Sequence, residues 1–311
     1  MYVAIIAALI AGLFFAIGGV LQQRVASTRP EGESLSPRLI WDLLHQRLWV
    51  AGISCAVLSY VFQALALNFA PLAVVQPIIV SELLFAIPIS LRLHKMRLRR
   101  RDWIGVLAVA VGIAAAIAAA APTQGNPIQP IGQWTPVLAA IAILVAGALL
   151  IQRRISGPMR ASLIALAAAA TMGTESGLMA AATNKFSKGA ISGFESWEIY
   201  AMTLTSIFGL LLIQSAFQAG PLASSMPVVD AAEPLVAIGI GLALFGESIR
   251  TAPLALGVAI AGIAAMIAGI VLLDTSPVVQ ALHEQEKEEA EHTGHGETVS
   301  LGADAEAASS A

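Results

Sequence analysis

Charged side chains are scarce in this chain. Asp, Glu, Lys and Arg make up 12% of the 311 residues and aromatic residues 6%, whereas hydrophobic residues make up 57%. The mean hydropathy is +0.79, and a soluble core cannot absorb that much apolar surface, so the composition predicts a membrane protein. The apolar runs are continuous and lack the alternation of β-barrel strands, which leaves helices. The single cysteine, Cys55, excludes an intrachain disulfide.

Nine apolar stretches are long enough to cross a membrane as helices, which takes about 20 residues. We number them as segments one to nine in chain order. They cover residues 2–23, 48–69, 72–91, 103–121, 135–151, 161–182, 199–219, 221–245 and 253–273. The predicted fold class is an all-α polytopic membrane protein with about nine transmembrane helices.

The basic residues predict the orientation. When successive loops are assigned to alternate sides, 14 of the 17 Lys and Arg residues fall on one side, which the positive-inside rule makes cytoplasmic. The N-terminus is then outside the plasma (inner) membrane and the C-terminus is inside. Residues 24–47 form a cytoplasmic loop, and the acidic segment 274–311 is predicted to be largely disordered.

A basic cluster lies at the end of segment three and the start of segment four. It includes Arg97, Arg99, Arg100 and Arg101. At a helix end such a cluster anchors the topology and can contact anionic lipid. We do not expect a nucleic-acid partner.

Four carboxylates lie inside the apolar segments: Glu82, Glu175, Asp230 and Glu233. No Lys or Arg lies inside any of these segments. An acid at the centre of a lipid-facing helix costs about 2.5 to 3.5 kcal/mol. The four side chains are therefore expected to face a cavity, where a proton, a cation or a cationic substrate can balance them. The alternative for each is a protonated group that is hydrogen-bonded within the bundle.

The chain contains an internal repeat with an offset of 150 residues. NFAPLAVVQPIIV begins at Asn68 and QAGPLASSMPVVD at Gln218, and further on Gly112 corresponds to Gly262. A slip of one residue aligns Glu82 with Glu233. The copies lie five segments apart, and because five is odd they enter the membrane from opposite sides, as in secondary transporters. We predict two inverted halves, residues 1–121 with four helices and 134–273 with five.

Prolines lie close to these acids. Pro77, Pro227 and Pro234 each remove a backbone donor and free a carbonyl about one turn earlier. We interpret them as helix breaks whose carbonyls help to bind a cation, although a simple packing kink is the alternative.

Two of the acids are the leading candidates for the site. Asp230 and Glu233 share a helix face and form the leading site for substrate and coupling ion, while Glu82 and Glu175 are secondary candidates. Whether a metal such as Mg²⁺ binds at Asp230 and Glu233 stays open.

Signatures of soluble enzymes are missing from the sequence. There is no P-loop, no dinucleotide-binding glycine loop after a strand, no HExxH and no nucleophile elbow. We expect neither an enzyme nor a cofactor.

Two family resemblances concern specific motifs. The run from Pro221 to Glu247, PLASSMPVVDAAEPLVAIGIGLALFGE, resembles the EamA-type repeat of the drug/metabolite transporter superfamily. That resemblance implies two inverted halves and typically ten helices. GGVLQQR, which ends at Arg24, and NFAPLAVVQP are similar to the nine-helix NIPA-type magnesium transporters. Where that family usually has a lysine-rich cluster, this chain has Gln22, Gln23 and Arg24.

The predicted function is secondary transport. A small metabolite or cation would move by alternating access, coupled to protons or cations through the intramembrane carboxylates. NIPA-type magnesium transport is the alternative, and a non-transporting scaffold or lipid-handling protein is the third hypothesis. Faces of small residues permit a homodimer as well as packing within one bundle.

Overall fold

The computed structural model describes residues 2–26, 45–93, 99–219 and 222–277. These ranges contain eleven α-helices, one 3₁₀ turn and an isolated antiparallel bridge between Thr123 and Ser248. The helices are α1 (Tyr2–Ala26), α2 (Arg47–Phe69), α3 (Leu72–Ile79), α4 (Glu82–Leu93), α5 (Arg100–Ala120), α6 (Ile131–Ile151), α7 (Pro158–Phe186), α8 (Ala190–Phe194), α9 (Trp197–Ala219), α10 (Leu222–Ala243) and α11 (Pro253–Asp274). Arg97 and nearly all of the predicted cytoplasmic loop and acidic tail lie outside the described residues.

Eight helices in the described ranges are long and apolar enough to cross a membrane. The all-helical, multi-pass class predicted from composition is confirmed. Segment three, residues 72–91, is not one continuous helix, because the chain breaks at Val80 and Ser81 into α3 and α4. Pro77 has no N–H and so removes one backbone hydrogen bond of the helix. At the break, the Ser81 N–H donates to the carbonyl of Ile78, three residues earlier, at 2.9 Å.

All three predicted prolines lie inside a helix. Pro77 is within α3, and Pro227 and Pro234 are within α10, which runs unbroken from Leu222 to Ala243. Each proline removes a single backbone donor, and the role of the freed carbonyls stays a prediction. Helix α10 packs closely against α7 beside Pro234, since a Cβ added to Gly173 of α7 would lie 2.7 Å from the Glu233 carbonyl oxygen.

The long helix α7 is the centre of the bundle. In its most apolar stretch 83% of the residues are buried, against at most 44% in any other candidate span. It contacts α2, α6, α9 and α10. Small side chains, among them the run Ala167 to Ala170, let these neighbours approach closely.

The pair α5 and α11 packs through glycines at corresponding positions of the repeat. A Cβ on Gly112 would lie 2.6 Å from the carbonyl oxygen of Gly262, and a Cβ on Gly262 would lie 2.8 Å from the carbonyl oxygen of Gly112. The contact is therefore reciprocal, and the two backbones touch where neither residue has a side chain.

The connections that follow α5 and α10 run side by side at one end of the bundle. The segment from Ala120 to Asn126 runs beside residues 244–250, with backbone bonds such as Asn126 N–H to the Phe245 carbonyl at 2.8 Å. Gly246, at a φ of 68°, makes the turn that ends α10, because this left-handed conformation favours glycine.

Glu247 follows this turn and caps the N-terminus of α3. Its carboxylate accepts hydrogen bonds from the N–H groups of Leu72 at 2.8 Å and Ala73 at 3.1 Å. Those are donors that a helix start leaves without intrahelical partners. Burial raises the pKa of Glu247 above its usual range, and the two backbone bonds act in the opposite direction. The terminal Gly-Glu of the second repeat thus joins α10 to the start of α3.

Gly112→Ala should destabilise the protein by about 1 to 3 kcal/mol, because the added methyl group overpacks the contact with α11. The measurement is the midpoint of thermal unfolding of the purified protein in detergent. Gly147→Ala on α6 is the matched control, since a Cβ there meets nothing within 4 Å. Equal midpoints for the two variants would contradict the close α5–α11 contact.

Glu247→Ala should cost about 1 to 3 kcal/mol for each of the two N–H groups it leaves buried without an acceptor. Glu247→Gln keeps one acceptor oxygen and the neutral state that burial favours, so its loss should be smaller. Denaturant unfolding of the three proteins gives the order of stability. An alanine variant as stable as the parent would mean that the cap contributes nothing.

Candidate functional site

A cavity of about 770 Å³ lies inside the bundle. Residues of α1, α2, α3, α4, α7, α9 and α10 line it, together with Val80 between α3 and α4. The tightly packed pair α5 and α11 contributes no lining residue in the described ranges. Helices α5 and α11 therefore pack directly against each other, and the cavity lies among the other helices named above.

The structure brings all four predicted carboxylates to this cavity. Glu82 is the first residue of α4, directly after the break, and Glu175 lies in the middle of α7. Asp230 and Glu233 lie in the middle of α10, and all four side chains line the cavity. Of the three predicted prolines, Pro234 is in the lining whereas Pro77 and Pro227 are not.

Tyr60 of α2 donates a hydrogen bond to one of these acids. Its hydroxyl donates to Oε2 of Glu175 at 3.3 Å, a long hydrogen bond, across the space between α2 and α7. The Tyr60 ring packs edge-on against Phe15, with centroids 5.3 Å apart. The same region contains a second link between α2 and α7, in which Gln63 Nε2 donates to Ser176 Oγ at 3.2 Å. These two hydrogen bonds link α2 to α7 at the side of the cavity where Glu175 lies.

The lining contains acidic side chains but no basic ones among the described residues. None of the described residues that line the cavity is Lys, Arg or His. Elsewhere in the bundle an acid has its cation: Lys185 Nζ lies 2.7 Å from Glu198 Oε2, joining the end of α7 to the start of α9. In the cavity, by contrast, Asp230 Oδ2 is buried and has no hydrogen-bond partner among the described residues. Such an oxygen is available to a proton or a cation.

The described part of the chain holds no group of three or more His, Cys, Asp or Glu side chains placed to bind a metal ion. Asp230 and Glu233 therefore gain no third ligand of these types there. Their carboxylates can attract a cation into the cavity without forming a closed metal cage around it.

Two lining residues were missed in the sequence. Gln76 of α3 and Gln214 of α9 line the cavity, and each side chain is only 2% exposed. Both are uncharged polar residues inside apolar segments, and that property could have identified them. A search for charged residues alone does not find them, and it does not find Tyr60 either.

A protein of Corynebacterium glutamicum, described as uncharacterized, is 35% identical to this chain over 263 residues. The match covers 83% of this chain and 90% of that protein. The chain belongs to the same family. No family model matches the chain, and no solved structure does.

A cysteine placed in the cavity should react with a water-soluble thiol reagent. In a Cys55→Ser background, which removes the only native cysteine, Ser206→Cys lies in the lining of α9. Ser215→Cys on the same helix is the control, because Ser215 is 0% exposed and outside the lining. Mass spectrometry should find the adduct at position 206 and not at 215. Equal labelling at both positions would mean that the cavity does not determine water access.

Proposed function

We propose that this protein is a secondary transporter that moves a small organic metabolite or cation across the plasma membrane by alternating access. The observation that carries the proposal is the convergence of Glu82, Glu175, Asp230 and Glu233 on one cavity without a basic residue among its described lining. A cavity of about 770 Å³ in this setting suits a small organic solute, since ligand pockets typically span roughly 300 to 1,000 Å³.

The position of the cavity between repeated elements supports alternating access. Eight pairs of lining residues stand 150 positions apart, which is the repeat offset. They come from α1 with α7, from α2 with α9, and from α3 and the residue after it with α10. The pairs are Gln22 with Met172, Ala56 with Ser206, Val57 with Ile207, Tyr60 with Leu210, Ala64 with Gln214, Gln76 with Met226, Ile79 with Val229 and Val80 with Asp230. The same helix faces of the two copies thus line one space, as expected for inverted repeats that rock about a central site.

Helices α1 and α7 correspond under the repeat offset, and each packs against one of the acids. A Cβ on Gly12 of α1 would lie 3.3 Å from the Glu82 backbone nitrogen, and a Cβ on Gly173 of α7 would lie 2.7 Å from the Glu233 carbonyl oxygen. In each proposed half, a glycine of this helix lies against the backbone at an acid of the cavity. This parallel supports the proposed halves, residues 1–121 and 134–273, with α3 and α4 together forming one crossing.

Membership of the drug/metabolite transporter superfamily with EamA-type repeats is part of the proposal. So are the outside N-terminus, the cytoplasmic C-terminus and lipid contact at the basic cluster. The carboxylates would bind cargo and coupling ion in turn, because one negative site cannot hold two cations equally well. An enzymatic role has no support from the lining.

Asp230→Asn combined with Glu233→Gln should abolish uptake in proteoliposomes, because these substitutions remove the leading charged site while keeping its shape. The assay measures uptake of labelled organic amines, amino acids and Mg²⁺, each with and without an imposed proton gradient. Glu195→Gln, at an exposed position between α8 and α9, is the control and should transport normally.

Each outcome decides between the hypotheses. Carboxylate-dependent uptake of Mg²⁺ that responds to membrane potential would favour NIPA-type transport. Uptake unchanged in the double variant would remove these two acids from the mechanism. No uptake of any solute by the parent protein would favour a scaffold or lipid-handling protein.

A further inference from the structure

Two glutamines of the cavity lining each have one buried amide atom without a hydrogen-bond partner among the described residues. Gln76 Nε2 and Gln214 Oε1 are buried and unbonded among the described residues, as is the carboxylate oxygen Asp230 Oδ2. A buried polar group without a partner is energetically costly, so most buried polar groups in proteins are paired. An unpaired amide atom on a residue that lines a cavity points to a ligand that completes it.

Position relative to the cavity distinguishes these amides from the buried Gln63 of α2. Gln63 lies outside the lining; its Nε2 donates to Ser176, while its Oε1 is also unpaired among the described residues. Gln76 and Gln214 both line the cavity with only 2% of each side chain exposed. An amide has both N–H donors and a carbonyl acceptor, and the unpaired atoms are a donor in Gln76 and an acceptor in Gln214. The two together can bind a hydroxyl group, and Gln76 alone can donate to a carbonyl group.

The remaining lining is largely apolar and deformable. Its large members include Phe15, Phe186, Phe217, Met172, Met179 and Met226. Methionine fills irregular space and contacts aromatic rings favourably. Such a surface suits the apolar body of an organic ligand.

The polar groups also break the symmetry of the repeat. Gln76 corresponds to Met226 and Gln214 to Ala64, so at each of these pairs only one copy carries an amide. Asp230 likewise corresponds to Val80. The cavity therefore has chemically distinct walls, which fits a cargo with distinct ends.

We propose that the cargo is an amphipathic organic ammonium compound bearing an uncharged hydrogen-bonding group, and that Gln76 and Gln214 select it by bonding that group. The proposal rests on the proposed transport function, of which it names the substrate class. The carboxylates bind the ammonium, the amides bind the uncharged polar group, and the Phe and Met side chains cover the apolar body.

Binding of two matched amines to the purified protein tests this. Tyramine and phenethylamine are both ammonium ions at neutral pH and differ only by a phenolic hydroxyl. Equilibrium dialysis with labelled amines should show that tyramine binds about tenfold more tightly, the effect of one added hydrogen bond. Asp230→Asn with Glu233→Gln should abolish the binding of both.

Gln76→Leu combined with Gln214→Leu should remove the preference for tyramine and leave phenethylamine binding unchanged. The control is Gln218→Leu, one turn further along α9. Gln218 is also buried without partners among the described residues, but it lies outside the lining. It should keep the tenfold preference. Thermal unfolding checks that each variant is folded, and the comparison of the two amines on the parent protein stands even if a variant fails to fold.

Equal affinity of the parent for both amines would overturn the proposal, as would a preference that survives in the double leucine variant or failure of both amines to bind. Binding does not require transport, so the two proposals fail separately. Carboxylate-dependent Mg²⁺ uptake without amine binding would keep the carrier and reject this cargo class. Amide-dependent amine binding without uptake of any solute would keep the ligand class and reject the carrier.

Discussion

A carboxyl group inside an apolar helix must reach water or a polar partner, because facing lipid costs about 2.5 to 3.5 kcal/mol for each such acid. This protein has four such groups on α4, α7 and α10, and the bundle is arranged so that all four reach one cavity. The cavity in turn requires the surrounding helices to stay apart at that level while remaining packed elsewhere. Small residues provide the packing: alanines on α7 and the reciprocal contact of Gly112 with Gly262.

The two copies of the repeat end in different residues, and this difference affects how the proposed halves are joined. The second copy ends in Gly246 and Glu247, and the carboxylate of Glu247 caps α3 of the first copy. The first copy has basic residues at the corresponding place, so it has no acid there to make the reciprocal cap. One end of the bundle thus gains a bond between the proposed halves that the repeat does not duplicate.

The same asymmetry extends into the cavity. Corresponding backbone positions line it from both copies, yet the polar side chain stands in only one of them at Gln76, Gln214 and Asp230. In the proposed mechanism, a repeated backbone would let the two halves exchange conformations, whereas a non-repeated set of side chains would give the bound cargo an orientation. Duplication and divergence therefore serve separate purposes in the proposed mechanism.

Much of this protein follows from the sequence alone. Composition and segment length determined a helical, multi-pass membrane protein, because only long apolar helices satisfy their backbone bonds in lipid. The energetic cost of buried charge identified Glu82, Glu175, Asp230 and Glu233 as residues that need a polar environment. Proline positions did not locate the break in a helix. Helix α3 continues through Pro77 and α10 through Pro227 and Pro234, and the third segment breaks only at Val80 and Ser81.

Only the tertiary structure decided which uncharged polar residues belong to the site. Gln63, Gln76, Gln214 and Gln218 look alike in the sequence, each a glutamine in an apolar segment. Folding gives Gln63 a partner in Ser176, leaves Gln218 buried outside the lining, and directs Gln76 and Gln214 to the cavity. Partners of this kind come from helices more than a hundred residues away in the chain, and a local pattern carries no information about such distant contacts.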